Sequence, residues 1–118
     1  MVLEMGEFII VNWSAVQGRL KEHDEAVKKI MRHWKKNAKR FKLRSLRYFS
    51  QAIGGDPFTY GHVMIYEFES LVDWEFFEKE MEKDKAALML KEQLFTNIDL
   101  RTRRVFEWQD KLRGDWLE

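Results

Sequence analysis

Proton transfer near neutral pH calls first for histidine, and this chain has three, His23, His33 and His62, which the sequence keeps apart. His62 sits in the run TYGHVMIYEF, where an extended backbone turns Tyr60, His62, Met64 and Tyr66 to one side. A histidine so placed could act as a general base toward a phenol or enol held beside the tyrosines. The plainer reading is a buried histidine bonded to a backbone carbonyl or a cross-strand hydroxyl, because no nucleophile or second titrating partner is fixed beside it. His23 and His33 are nearly three turns apart on a helix and cannot pair. His23 with Asp24 and Glu25 could hold a surface metal, but the spacing matches no standard site, and acids in a first helical turn are explained by the macrodipole. The GGDP sequence, Gly54 to Pro57, does not fit a phosphate cradle, since a strand and not a helix N-terminus follows it.

These residues must be positioned by elements that hydrophobic period reveals. EFIIVNWSA, Glu7 to Ala15, reads as a strand buried on both faces. KEHDEAVKKIMRHWKKNAKRF places Val27, Ile30, Met31, Trp34, Ala38 and Phe41 in one apolar stripe on a cationic helix. LRSLRYFSQAI alternates, with Leu46, Tyr48, Ser50 and Ala52 on one face. GGDP then turns a hairpin into a strand over Phe58 to Glu69. SLVD, Ser70 to Asp73, resembles a capping box opening an acidic helix that carries Trp74, Phe77 and Met81 inward. Its register slips near KDKA, Lys83 to Ala86, and resumes at Leu90 and Leu94, which predicts a kink or two short helices. A last strand spans Leu100 to Gln109, and the tail keeps Trp116 and Leu117 as anchors.

The order β-α-β-β-α-β predicts a ferredoxin-like α+β domain over residues 1–118, with 110–118 as a tail, a four-stranded antiparallel sheet and both helices on one face. Strands one and three are apolar or aromatic on both faces, so the uncovered face should meet a second copy of itself, giving a homodimer. The net charge of +1 conceals +9 between Arg19 and Arg47 and −6 between Glu67 and Asp99. Helices of opposite charge lying side by side neutralise each other, and nucleic acid is a poor partner, since Trp34 and Phe41 are better used as core than as stacking platforms. The longest apolar run, Phe8 to Val11, is far short of a membrane span, and the chain opens on no signal peptide. With no cysteine, a cytoplasmic address is expected. Few Asn and abundant Lys, Glu and Arg lean in the thermophilic direction.

The strand-one start, the hairpin into HVMIYEFESLVDWEFFEKEM and the interrupted second helix together resemble the dimeric α/β barrel superfamily, and within it the antibiotic-biosynthesis-monooxygenase-like domains. The resemblance implies cofactor-free oxygenases, haem-degrading enzymes or sensing domains. Haem-degrading members place an Asn in the first strand, a Trp early in the second helix and an iron-ligating His further along. Asn12 and Trp74 or Phe77 fit, but Ala86, Ala87, Leu88 and Met89 occupy the ligand stretch, so no haem or other cofactor is expected. The expectation is an aromatic-lined pocket between sheet and helices that binds or oxidises a small aromatic compound, with His62 and Asn12 catalytic and Trp13, Tyr48, Tyr66 and Trp74 holding the ligand. The alternative is a non-enzymatic ligand-binding or assembly module.

Overall fold

A computed structural model describes residues 6–53 and 61–111. The chain opens with β1 (Glu7–Ala15) and turns at Val16 to Arg19, where the Arg19 amide donates to the Val16 carbonyl at 3.0 Å. The third turn position needs a positive φ, and Gly18 supplies it at 84°. Helix α1 (Leu20–Lys36) follows, then β2 (Ser45–Ser50), β3 (Gly61–Phe68), α2 (Leu71–Lys83), α3 (Lys85–Thr96) and β4 (Ile98–Gln109). The predicted GGDP turn, the strand start at Phe58 to Tyr60 and the anchors Trp116 and Leu117 lie outside the described residues. No helix among the described residues is long and apolar enough to cross a membrane.

The four strands form one antiparallel sheet in the order β2-β3-β1-β4, the ferredoxin-like arrangement. Strand alternation assigns the two faces. Ile9, Val11 and Trp13 of β1, with His62, Met64 and Phe68 of β3, are buried under the helices. Phe8, Ile10 and Asn12 take the opposite face. Among the described residues nothing covers that face, and Phe49, Phe106 and Trp108 are 51, 42 and 60% exposed.

Between the layers, Trp34, Phe41, Phe68 and Phe77 make the aromatic centre of the core. Full burial of each such side chain contributes about 1.5–3 kcal/mol. The α1 stripe outlasts its helix, because α1 ends at Lys36 with Asn37 as C-cap, and Ala38 and Phe41 lie in the turns that follow. Phe41 nevertheless keeps helix-like spacing, since its amide donates to the Asn37 carbonyl at 3.1 Å, and it is fully buried. Lys42, at φ 57°, then reverses the chain toward β2. At the other end β4 begins at Ile98, two residues before the predicted start, because Ile98 and Asp99 pair with Ala15 and Ser14.

The predicted slip in the second helix is a complete break at Asp84. Its side chain accepts from the Ala87 amide at 3.0 Å and so caps α3, just as Ser70 caps α2 by accepting from the Asp73 amide at 3.3 Å. The same carboxylate accepts from His33 Nε2 at 2.9 Å and pairs with Arg40, tying the end of α1 to the α2–α3 joint. Lys42 and Asp73 pair at 3.8 Å and Arg44 and Glu67 at 3.6 Å, so part of the positive segment is neutralised by the negative one. Partial desolvation acts to raise the Asp84 carboxyl, but the Ala87 amide, His33 and Arg40 outweigh it and hold it at about 2. The group is ionised in the fold at pH values where the unfolded chain, with an ordinary value of 3.8, is protonated. Its contribution is therefore complete above about pH 4 and lost as pH falls toward 2. Asp84→Ala should lower stability by about 2 kcal/mol at pH 7 and progressively less below pH 4, read from urea unfolding midpoints across pH.

Candidate functional site

The six residues singled out from the sequence do not share one pocket. Tyr66 and Trp74 line a cleft of about 340 Å³ between the sheet and α2. The β1 and β3 face supplies Ile9, Val11, Tyr66 and Phe68, and α2 supplies Trp74, Phe77, Glu78 and Met81. Lys91 from α3 and Arg103 and Val105 from β4 complete the lining. The period of α2 places Trp74, Phe77 and Met81 three and four residues apart, so one helical face supplies that wall.

Tyr66 is the cleft's half-buried phenol. Burial pushes its hydroxyl up to about 12, and the positive charge of Arg103 partly offsets that. The phenol therefore stays protonated at neutral pH and offers an O–H to whatever lies against it.

His62, Trp13 and Tyr48 form a separate cluster near the first turn of α1. Trp13 and His62 face each other across the β1–β3 ladder, and Tyr48 reaches the imidazole from β2. Tyr48 Oη and His62 Nδ1 are 2.6 Å apart, and Ser50 Oγ lies 3.3 Å from the same nitrogen and donates to Tyr48 Oη at 3.1 Å. The second imidazole was not anticipated here. His23 is fully buried with its ring centroid 4.2 Å from that of His62. Trp13 Nε1 donates to His23 Nε2 at 2.7 Å, which leaves the proton on Nδ1, and Nδ1 donates to Asp24 Oδ1 at 3.0 Å. Nothing local in the sequence joins His23 to His62. The signal was topological, since a short turn folds α1 back over the end of β1, where Trp13 pairs with His62.

One ligand atom from each of His23, Asp24 and His62 lies within 4.8 Å of the other two, a spacing that could hold a metal. Both nitrogens of His23 are already engaged, however, and a cation would have to displace the Trp13 indole and strand its buried N–H. Among the described residues the buried His62 Nε2 meets no hydrogen-bond partner.

Asn12 corrects the single-pocket expectation most plainly. It leaves β1 on the face opposite Trp13 and has no part in the cleft of Tyr66 and Trp74, but it lines a second depression, of about 430 Å³ at the sheet's end, together with Trp13, His62, Phe49, Val63 and Thr102. Sequence reasoning missed Lys91 and Arg103. Arg103 lies within a β4 bulge, since the β1–β4 register jumps between Asn12 opposite Arg104 and Ser14 opposite Asp99, so period-two counting could not place it.

Comparison with known proteins shows the fold. No family model matches the chain and no curated protein matches it. Among solved structures it is similar to a NIPSNAP family protein of unknown function from Agrobacterium tumefaciens, at 19% identity and a TM-score of 0.69 over 98% of this chain and 95% of that one. It is similar to a putative antibiotic biosynthesis monooxygenase from Nitrosomonas europaea, at 11% identity and a TM-score of 0.68 over 94% and 95% of the two chains. A dimeric protein of unknown function with a ferredoxin-like fold from Bacteroides fragilis matches at 14% identity and a TM-score of 0.63 over 88% and 95%.

Burial lowers the His62 imidazole to about 4 from an ordinary 6.5, with neighbouring His23 adding to the shift and Asp24 opposing it. Between those two values the unfolded chain takes up a proton that the fold refuses. The stabilisation is complete above about pH 6.5 and lost as pH falls to 4. Replacing His62 with Phe should therefore flatten the decline in stability across that window relative to the parent chain. Imidazole NMR should show His62 neutral at pH 5.5, and a protonated ring at that pH would contradict the burial argument.

Proposed function

We propose that the protein is a homodimer, joined through the open sheet face, whose protomers each bind a small aromatic molecule in the cleft between sheet and helices. The observation that carries the ligand reading is the cleft itself. Its volume of about 340 Å³ lies at the small end of ligand pockets, and Tyr66, Trp74 and Phe77 give it aromatic walls. Flat rings stack on such walls at ring distances of about 4.5–7 Å. Self-association is supported by the exposed aromatics of the opposite face and by the Bacteroides fragilis neighbour, which is described as dimeric.

Binding is favoured over oxidation by the separation of the two groups of residues. A general base must lie within hydrogen-bond reach of the proton it removes, and His62 is not among the residues lining the cleft. Tyr48 and Trp13 belong with His62, and their service is to the packing of α1 on the sheet.

Two measurements test this reading. Sedimentation equilibrium should give a dimer, and Ile65→Asp, which puts a charge in the middle of the open face, should give a folded monomer. A stable monomer of the parent chain would refute the covered face. Binding of 2-naphthol, followed by calorimetry, should weaken at least tenfold in Trp74→Leu and little in His62→Phe; the reverse ranking would move the ligand to the histidine cluster.

A further inference from the structure

The cleft carries a charge that its aromatic walls do not explain. Arg103 and Lys91 both line it, and both lie against one ring, with the Arg103 guanidinium carbon 5.1 Å and the Lys91 ammonium 5.3 Å from the Phe95 centroid. Two cations gathered on one aromatic side chain repel each other, and the ring attracts each by only about 0.5–1 kcal/mol at partly exposed sites. Among the described residues neither is joined to a carboxylate, although this chain pairs Arg40, Lys42, Arg44 and Arg101 with acids. The remaining charge in the lining is Glu78, so the cleft is net positive by one.

The position of Arg103 is built rather than incidental. Thr102, its neighbour in the β4 bulge, accepts the Ser14 amide at 2.9 Å and donates to the Asp99 carbonyl at 2.6 Å. Those bonds replace lost ladder pairing, so the bulge holds its shape beside the cleft. Arg103 and Tyr66 both line the cleft, and the guanidinium is near enough to bias the phenol's ionisation.

Resting on the cleft reading above, we infer that the ligand is an anion: a planar aromatic carboxylate whose ring lies among Tyr66, Trp74 and Phe77 and whose carboxylate is held by Arg103 with Lys91. A guanidinium presents two parallel N–H groups to a carboxylate, and the Tyr66 hydroxyl adds a donor. The partly buried setting strengthens these bonds relative to water.

The test compares 2-naphthoate with 2-naphthol, the same ring with and without a carboxylate, by calorimetry at pH 7. The parent protein should bind 2-naphthoate at least tenfold more tightly. In Arg103→Gln the ratio of the two affinities should fall toward one, and Lys91→Gln, on the helix and away from the bulge, should lower the same ratio by a smaller factor. Raising salt should shrink the preference as well. Equal binding of both compounds by the parent would overturn the anion inference and leave the aromatic cleft standing. Failure of both to bind would overturn the cleft and the inference together. A preference that survives in Arg103→Gln and Lys91→Gln combined would place the carboxylate elsewhere and refute the assignment.

Discussion

Phe77 holds the two layers together. Its ring lies 5.0 Å from Trp34 on α1, 5.4 Å from Phe41 in the turn after α1, and 5.7 and 5.3 Å from Tyr66 and Phe68 on β3. Four separately positioned aromatics converge on one α2 side chain, all with tilted or edge-on geometry. The hydrogen-bonded sheet would form a surface without it, but the helices would have no fixed height above that surface. Because Phe77 also belongs to the cleft lining, the packing that holds the helices down sets one wall of the cavity.

The space under the helices thus differs at its two ends. Toward the first turn of α1 it is filled by Trp13, His23, Tyr48 and His62, whose polar atoms mostly satisfy one another. Toward α2 and β4 it stays partly empty, with Tyr66, Glu78, Lys91 and Arg103 in the lining. An imidazole pressed to about 4 by burial is suited to packing, whereas a guanidinium beside a cavity is suited to reception. The residue with the most familiar chemistry, histidine, therefore sits in the filled end.

Much of the architecture was legible because it follows period and order. The alternation of His62, Met64, Tyr66 and Phe68 is observed, as are the Ser70 cap and the interruption near Lys83 to Ala86. Element ends were less legible. The stripe through Ala38 and Phe41 hid the end of α1 because a helix-like turn keeps the same spacing without the helix. The candidate site was legible in part: Tyr66 and Trp74 come together in the cleft, while Asn12, Trp13 and His62 meet at a second depression and Tyr48 bonds to His62 beside it. A single strand can be divided between two sites by position along its length, and the face it shows does not tell which. His62 and Tyr66 share a face and are four residues apart, so one reaches the α1 turn and the other the cleft.

The β4 bulge also bears on how copies of this chain avoid sticking to one another. A sheet with two free edges exposes unpaired amides and carbonyls that invite further strands. Among the described residues one edge is β2, only six residues long, and the other is β4, whose ladder is broken at Leu100 to Arg103 within a run that carries Arg101, Arg103 and Arg104. Short length on one side, and irregularity with clustered positive charge on the other, oppose strand-by-strand growth into a fibre. Among the described residues the rim resists strand addition while the broad surface carries exposed aromatics, so the irregular segment that shapes the cleft also disfavours growth at the edge.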